Sequence, residues 1–287
     1  MYWFAKAVSA FAGAMPRRMI VFLGTVLGLI WYYVVPFRRG VALDNVSFAI
    51  TGGDRAAAKK IVRLSFVRLG TAVLDALSCR EPDRAVVVEG AGPVYEVLSQ
   101  GRGLIAAVTH SGGIDMNDRV ASMVMKLRLH VMTRTVSVGG FQRFFMEMRA
   151  RRGNEYLKAD TRMSELVRIV KAGGILALAY DQNMPPRHGI PVPFFGRDAS
   201  TTYAPAAVAA RTGAPAFAIM GYERADGAYV MRIAPPVRFE STGEFIADCT
   251  VMMEKLNMQL EEFLREHPEE WLWAHRRWKP IVRKAKR

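Results

Sequence analysis

Gly103-Leu-Ile-Ala-Ala-Val-Thr109-His110-Ser111-Gly112-Gly113-Ile114-Asp115 decides how the chain is read. Its first half is a near-continuous apolar run of strand length, the pattern of a strand covered on both faces. Its second half is a glycine-bearing turn into the helically periodic residues 116–125. Strand, turn and helix in that order open a βαβ unit, and the pattern recurs. Apolar runs at 129–133, 174–180 and 214–220 alternate with helical stretches at 141–151, 163–172 and 205–211. Residues 54–77 also have mostly helical spacing, 229–233 add a strand that is a candidate edge, and 244–266 form a long closing helix. This alternation predicts an α/β fold with a largely parallel central sheet flanked by helices. With neither an internal repeat nor a low-complexity linker, residues 41–287 are expected to form one domain, preceded by an anchoring segment at 1–40.

In such sheets ligands gather beyond the carboxyl ends of strands, which is where His110 falls. A turn at Ser111-Gly112-Gly113 could bring Asp115, in the first helical turn, back to one imidazole nitrogen. The other nitrogen would then be free to take a proton from a hydroxyl nucleophile. Gly112 and Gly113 would let substrate approach backbone N–H groups at the helix start, a place for an oxyanion. Asp181 ends the 174–180 run, so it would share a sheet edge with His110 if those strands are parallel neighbours. The alternative is a solvated aspartate capping a loop.

The 287 residues carry 40 Lys and Arg against 26 Asp and Glu, a net charge of +14, and 51% are apolar. That composition buries a full core and excludes both a disordered tail and a bundle of membrane spans. Nearly all the net charge sits at the two ends. Residues 1–40 hold Lys6, Arg17, Arg18, Arg38 and Arg39, residues 273–287 hold seven more bases, and neither stretch has an acid. A nucleic-acid reader carries its bases on the folded body, among side chains that reach nucleobases, so no nucleic-acid partner is expected. Basic ends, one beside an apolar run, suit an anionic membrane or serve as solubilising tails. Cys79 and Cys249 lie far apart with no second ligand beside either, so neither a disulfide framework nor a thiolate metal site is expected.

Met19 to Phe37 is uncharged over 19 residues, about 28 Å as a helix, and close to a hydrocarbon thickness. Trp31, Tyr32 and Tyr33 near its end and Arg38 and Arg39 beyond it have the order of an interfacial belt and a headgroup layer. The expectation is an anchor that spans the bilayer or lies in one leaflet. A buried helix packed on the protein's own body is the alternative. No small-x-small site follows, so a cleaved signal is not expected.

Four segments together carry a resemblance. They are His110-Ser-Gly-Gly-Ile-Asp115, Ala179-Tyr-Asp181-Gln182, Val192-Pro-Phe194-Phe195-Gly196 with Ser200-Thr-Thr202, and Pro268-Glu-Glu-Trp271-Leu-Trp273-Ala-His275-Arg-Arg277-Trp278-Lys279. The first resembles the HX4D box of glycerolipid-type acyltransferases. In order, and with Asn45 after an apolar amino-terminal run, the set resembles the late acyltransferases of lipid A biosynthesis across nearly the whole chain.

The resemblance implies transfer of a fatty acyl group from acyl carrier protein or acyl-CoA to a hydroxyl of a membrane glycolipid. It implies work at the cytoplasmic face of the inner membrane, with no metal or cofactor. It implies His110 as base with Asp115 as its orienting partner, a functional carboxylate at Asp181, and an arginine for anionic substrate. Arg149, Arg151 and Arg152 compete for that last role, with Arg152 favoured. Phe194 and Phe195 would line an acyl groove or else fill the core. The carboxyl-terminal aromatic and basic residues suit a headgroup layer, or a helix packed on the body with its arginines in water. Neighbouring possibilities are acylation of a lysophospholipid, an ornithine lipid or a mannosyl lipid, and a non-catalytic protein that binds the membrane surface.

Overall fold

A computed structural model describes residues 2–35, 37–78, 83–133, 144, 147 and 153–279. In chain order the helices are α1 (Tyr2–Ala14), α2 (Arg17–Tyr33), α3 (Arg39–Ala49), α4 (Arg55–Ser78), α5 (Gly92–Ser99), α6 (Ile114–Arg119), α7 (Met163–Lys171), α8 (Ala204–Thr212) and α9 (Phe245–Glu266). The strands are β1 (Val86–Glu89), β2 (Leu104–Val108), β3 (Leu129–Thr133), β4 (Glu155–Lys158), β5 (Ile175–Ala179), β6 (Gly189–Phe194), β7 (Arg197–Thr202), β8 (Ala216–Glu223) and β9 (Tyr229–Ile233). A π-helical turn, Val120–Val124, extends α6.

Seven strands form the central sheet in the order β1-β9-β8-β2-β5-β3-β4. From β8 to β4 every pairing is parallel, and β9 is antiparallel to β8. Alternate side chains go to opposite layers, as the two-residue period of a strand requires. Leu104, Ala106, Ile175 and Ala177 pack under α5 and α6, while Ile105, Ala107, Leu176 and Leu178 pack with α7, α8 and α9. That two-sided burial is why β2 and β5 read as unbroken apolar runs. Strand β9 is not the edge, because β1 lies outside it. β1 and β4 escape a hydrophobicity reading because each has four residues, mostly intermediate or exposed. A separate hairpin, β6–β7, turns at Phe195-Gly196 with φ of 52° and 72°, the two positive values that a tight two-residue turn of this hand requires.

The amino-terminal apolar run does not form the spanning helix that was one of its two expected forms. Helix α2 has 17 residues, about 26 Å, and the chain leaves the helix before Pro36. Among the described residues no helix is long and apolar enough to cross a membrane. One face of α2, Ile20, Gly24, Gly28 and Tyr32, is buried. Its contact with α4 is backbone to backbone: a Cβ on Gly24 would come 2.4 Å from the Thr71 Cα, and one on Gly70 would come 2.3 Å from the Gly24 carbonyl. The opposite face, with Phe22, Val26 and Ile30, is exposed, as are Trp3, Phe4 and Phe11 of α1. Arg17 does not reach outward as a headgroup contact would. It pairs with Asp75 at 3.2 Å and Glu223 at 3.1 Å.

Candidate active site

Parallel pairing of β2 with β5 sets Val108 opposite Ala179. The residues two places beyond each strand end, His110 and Asp181, therefore emerge side by side. The His110 Nδ1 is 2.7 Å from Asp181 Oδ1, and the His110 backbone N–H donates to Oδ2 at 2.6 Å. A third donor, the Trp271 indole N–H, meets Oδ2 at 2.7 Å. Burial would push the Asp181 carboxyl up, but the adjacent imidazole and these three donors hold it down at about 2. An ionised carboxylate cannot donate, so the proton between the two side chains belongs to Nδ1, and Nε2 is left to accept one. For His110 itself, burial lowers the pKa while the charge and hydrogen bond of Asp181 raise it. The second effect wins and the imidazole titrates above its ordinary value.

The partner of His110 is thus Asp181 and not Asp115. From the first turn of α6 the Asp115 carboxylate meets Arg119 one turn along, at 3.1 Å. Instead of reaching back to the imidazole, that carboxylate takes part in an i,i+4 ion pair within α6. Ser111 is fully buried, its Oγ bonded to Thr109 Oγ1 at 2.7 Å and to the Gly221 N–H at 3.0 Å. Gly112 has φ of 59°, and a Cβ there would fall 2.3 Å from the Gly221 backbone. Its N–H donates to the Glu270 carbonyl at 3.0 Å, so it is not the open oxyanion donor expected. Gly113 starts α6 with φ of 78°.

Two cavities meet at His110 and Asp115. One, about 800 Å³, is mainly apolar, with Val94, Leu104, Ala106, Met125, Leu129 and Phe217 in its wall, and lies in the size range of ligand pockets. The other, about 120 Å³, is bordered by Arg68, Asp75, Arg84, Arg119, Glu223 and Glu270. These groups pair among themselves: Arg68 with Glu223 at 2.9 Å and Glu270 at 3.2 Å, Arg84 with Glu223 and Asp75. Burial pushes the Glu270 carboxyl up to about 7 in spite of Arg68.

Phe194 and Phe195 border neither cavity. Phe194 is buried, stacked on Trp278 at 5.4 Å and edge-on to Trp271 at 5.7 Å, and Phe195 occupies the hairpin turn. Arg152, like Arg149 and Arg151, lies outside the described residues. Over its described length the carboxyl-terminal segment is helical only in the 3₁₀ turn Pro268–Glu270, and Arg276 and Lys279 are exposed. Trp271, Trp273 and Arg277 are buried in the body. Arg277 donates to the Ser200 carbonyl at 2.8 Å and Thr201 Oγ1 at 2.7 Å, and Asn45 Nδ2 ties down the carbonyls of Trp273 and His275. The Trp271 contact escaped the sequence reading because its 90-residue separation from Asp181 gives no local signal. Among the described residues no group of three or more His, Cys, Asp or Glu side chains is placed to hold a metal ion.

A family model described as bacterial lipid A biosynthesis acyltransferase matches residues 1–280. The chain is 22% identical over 284 residues to the lipid A biosynthesis palmitoleoyltransferase of Escherichia coli strain K12, with 96% of this chain and 90% of that protein covered. It is similar to the same extent, with the same coverage, to the lipid A biosynthesis acyltransferase of Shigella flexneri.

Replacing Asp181 with Asn leaves the burial of His110 in place and removes the charge that offsets it. In Asp181→Asn the imidazole pKa should fall from above 6.5 to below it. NMR titration of the His110 ring in both proteins reads this, and an unchanged value would mean that the carboxylate does not act on the ring.

Proposed function

The chain belongs to the bacterial lipid A biosynthesis acyltransferases, and from that premise we propose that it moves a fatty acyl group from a thioester donor, acyl carrier protein or acyl-CoA, to a hydroxyl of a lipid A precursor, with His110 as general base. An alcohol is a poor nucleophile at neutral pH until a base removes its proton during attack. Nε2 of His110 takes that proton as the hydroxyl oxygen bonds to the thioester carbonyl carbon. The C–S bond then breaks, and the imidazolium returns the proton to the departing thiolate. Asp181 holds the tautomer and balances the imidazolium charge.

One observation carries this reading. A histidine with an ionised carboxylate on Nδ1 stands where a large apolar cavity meets a charged recess. The apolar cavity takes the acyl chain, and the recess takes polar parts of the acceptor near the reacting hydroxyl. Asp115, bordering both and paired with Arg119, shapes the acceptor side. Oxyanion stabilisation falls to backbone donors from Gly113 onward, since the Gly112 amide is committed. Direct transfer fits the Cys249 thiol and the serine beside His110. Burial pushes Cys249 up to about 11, and Ser111 is enclosed.

The protein works at the cytoplasmic face of the inner membrane, seated by the exposed apolar face of α1 and α2. Phe22 is 65% exposed and Trp3 76%, and Lys6, Arg18 and Arg38 lie close by in sequence to meet anionic headgroups.

His110→Ala should lower acyl transfer by about 10² to 10⁴ with either donor, assayed by mass spectrometry of the lipid product. Because the base must be neutral and its pKa is raised, wild-type kcat/KM should climb with pH through a midpoint above 6.5. Equal rates for wild type and His110→Ala would contradict the mechanism, and no product with either donor would favour a non-catalytic lipid-binding protein. In flotation with anionic phospholipid vesicles the full chain should bind. The double variant Phe22→Ser, Ile30→Ser should bind at least about tenfold more weakly, from the apolar area lost. Equal binding would exclude this face as the seat.

A further inference from the structure

Two of the three hydrogen bonds that hold Asp181 come from His110 itself, through its ring and its backbone N–H. The ring donor moves with the base, and the backbone donor belongs to the same residue, so neither ties the carboxylate to a third part of the fold. The third, the Trp271 indole, comes from a segment 90 residues further on. It meets Oδ2, the oxygen not used by the imidazole, and so sets the rotation of the carboxylate plane. Trp271 is itself held from several sides. Its carbonyl accepts from Ser65 Oγ at 2.8 Å, and its backbone bridges to Ser111, the residue after the base. Its ring packs on Phe194 and Trp273. The preceding residue, Glu270, receives the Gly112 N–H. The segment therefore grips the His110 loop and the Asp181 carboxylate together.

We propose that Trp271 is a positioning residue for the acyl-transfer site, its indole N–H fixing the Asp181 carboxylate in the orientation that meets His110 Nδ1. The inference rests on the reading of His110 as general base and names a residue on which that base depends. A carboxylate that loses one of its donors becomes a better acceptor toward the remaining ones and is less well aligned. The imidazolium is then held more strongly and the base meets the hydroxyl less often in the right pose.

Trp271→Phe removes the donor and keeps an aromatic ring. Its kcat should fall about tenfold with KM little changed, as for loss of one charge-assisted hydrogen bond. The acid limb of its pH–rate profile should move up by about half a unit. Trp273→Phe is the control. That indole is equally enclosed, sits 4.8 Å from Trp271 and donates to the Pro268 carbonyl, away from Asp181. It should lower the melting temperature and leave the pH profile in place. A wild-type profile and kcat in Trp271→Phe, or an equal profile shift in Trp273→Phe, would overturn the proposal. If Trp271→Phe fails to fold, benzothienylalanine at position 271 keeps the shape without the N–H and should give the same shift. Activity retained by His110→Ala would remove the general-base reading itself. Activity lost there, with wild-type profiles at position 271, would remove only the role of Trp271.

Discussion

An ionised carboxylate with no access to water is the constraint around which this molecule is arranged. Placing such a charge in the interior costs several kcal/mol unless its lone pairs are met by donors. Asp181 meets that cost with an imidazole, a backbone amide and an indole, and the fold can be read as the means of bringing those three together. Parallel pairing of β2 and β5 delivers the first two from one residue at the neighbouring strand end. The carboxyl-terminal segment delivers the third, fastened by Asn45 on one helix, Ser65 on another and the buried guanidinium of Arg277. A charge held in this way fixes the tautomer of His110, which is what a proton-accepting Nε2 needs.

The same arrangement separates two environments at one imidazole. The sheet face under α5 and α6 opens into an apolar cavity, while α4 and the segment before Trp271 border a recess of paired arginines and acids. A lipid substrate has both characters, and the proposed reaction sets its reacting group where they join. Helix α2 shows a related economy. Its glycine face lets α4 approach to backbone contact, and its opposite face stays apolar and uncovered.

Much of this was legible in the residues. The apolar runs of β2, β3, β5 and β8 required two covered faces, and that placed His110 and Asp181 at strand ends. Which carboxylate meets the His110 imidazole was not legible. Asp115 is near in sequence, whereas Asp181 is near only once β2 and β5 pair directly, and no local pattern states which strands are neighbours. The carboxyl-terminal tryptophans and arginines left two readings open for a physical reason: rings with a polar edge beside guanidinium groups suit a headgroup layer and a hydrogen-bonded core equally well. Arg277 lies in that core, its pKa lowered by burial to about 10, with carbonyl and hydroxyl partners that sequence spacing does not reveal. The 19-residue apolar run of 19–37 likewise looked like a span because hydropathy cannot distinguish a glycine face meant for another helix from one meant for lipid.

The tautomer of His110 tests the account most directly. Nitrogen NMR of the ring in the full-length protein, at a pH above its titration, should find the proton on Nδ1 and an unprotonated Nε2. A neutral ring carrying its proton on Nε2 would mean that Asp181 does not hold the imidazole, and the mechanism built on that contact would not stand.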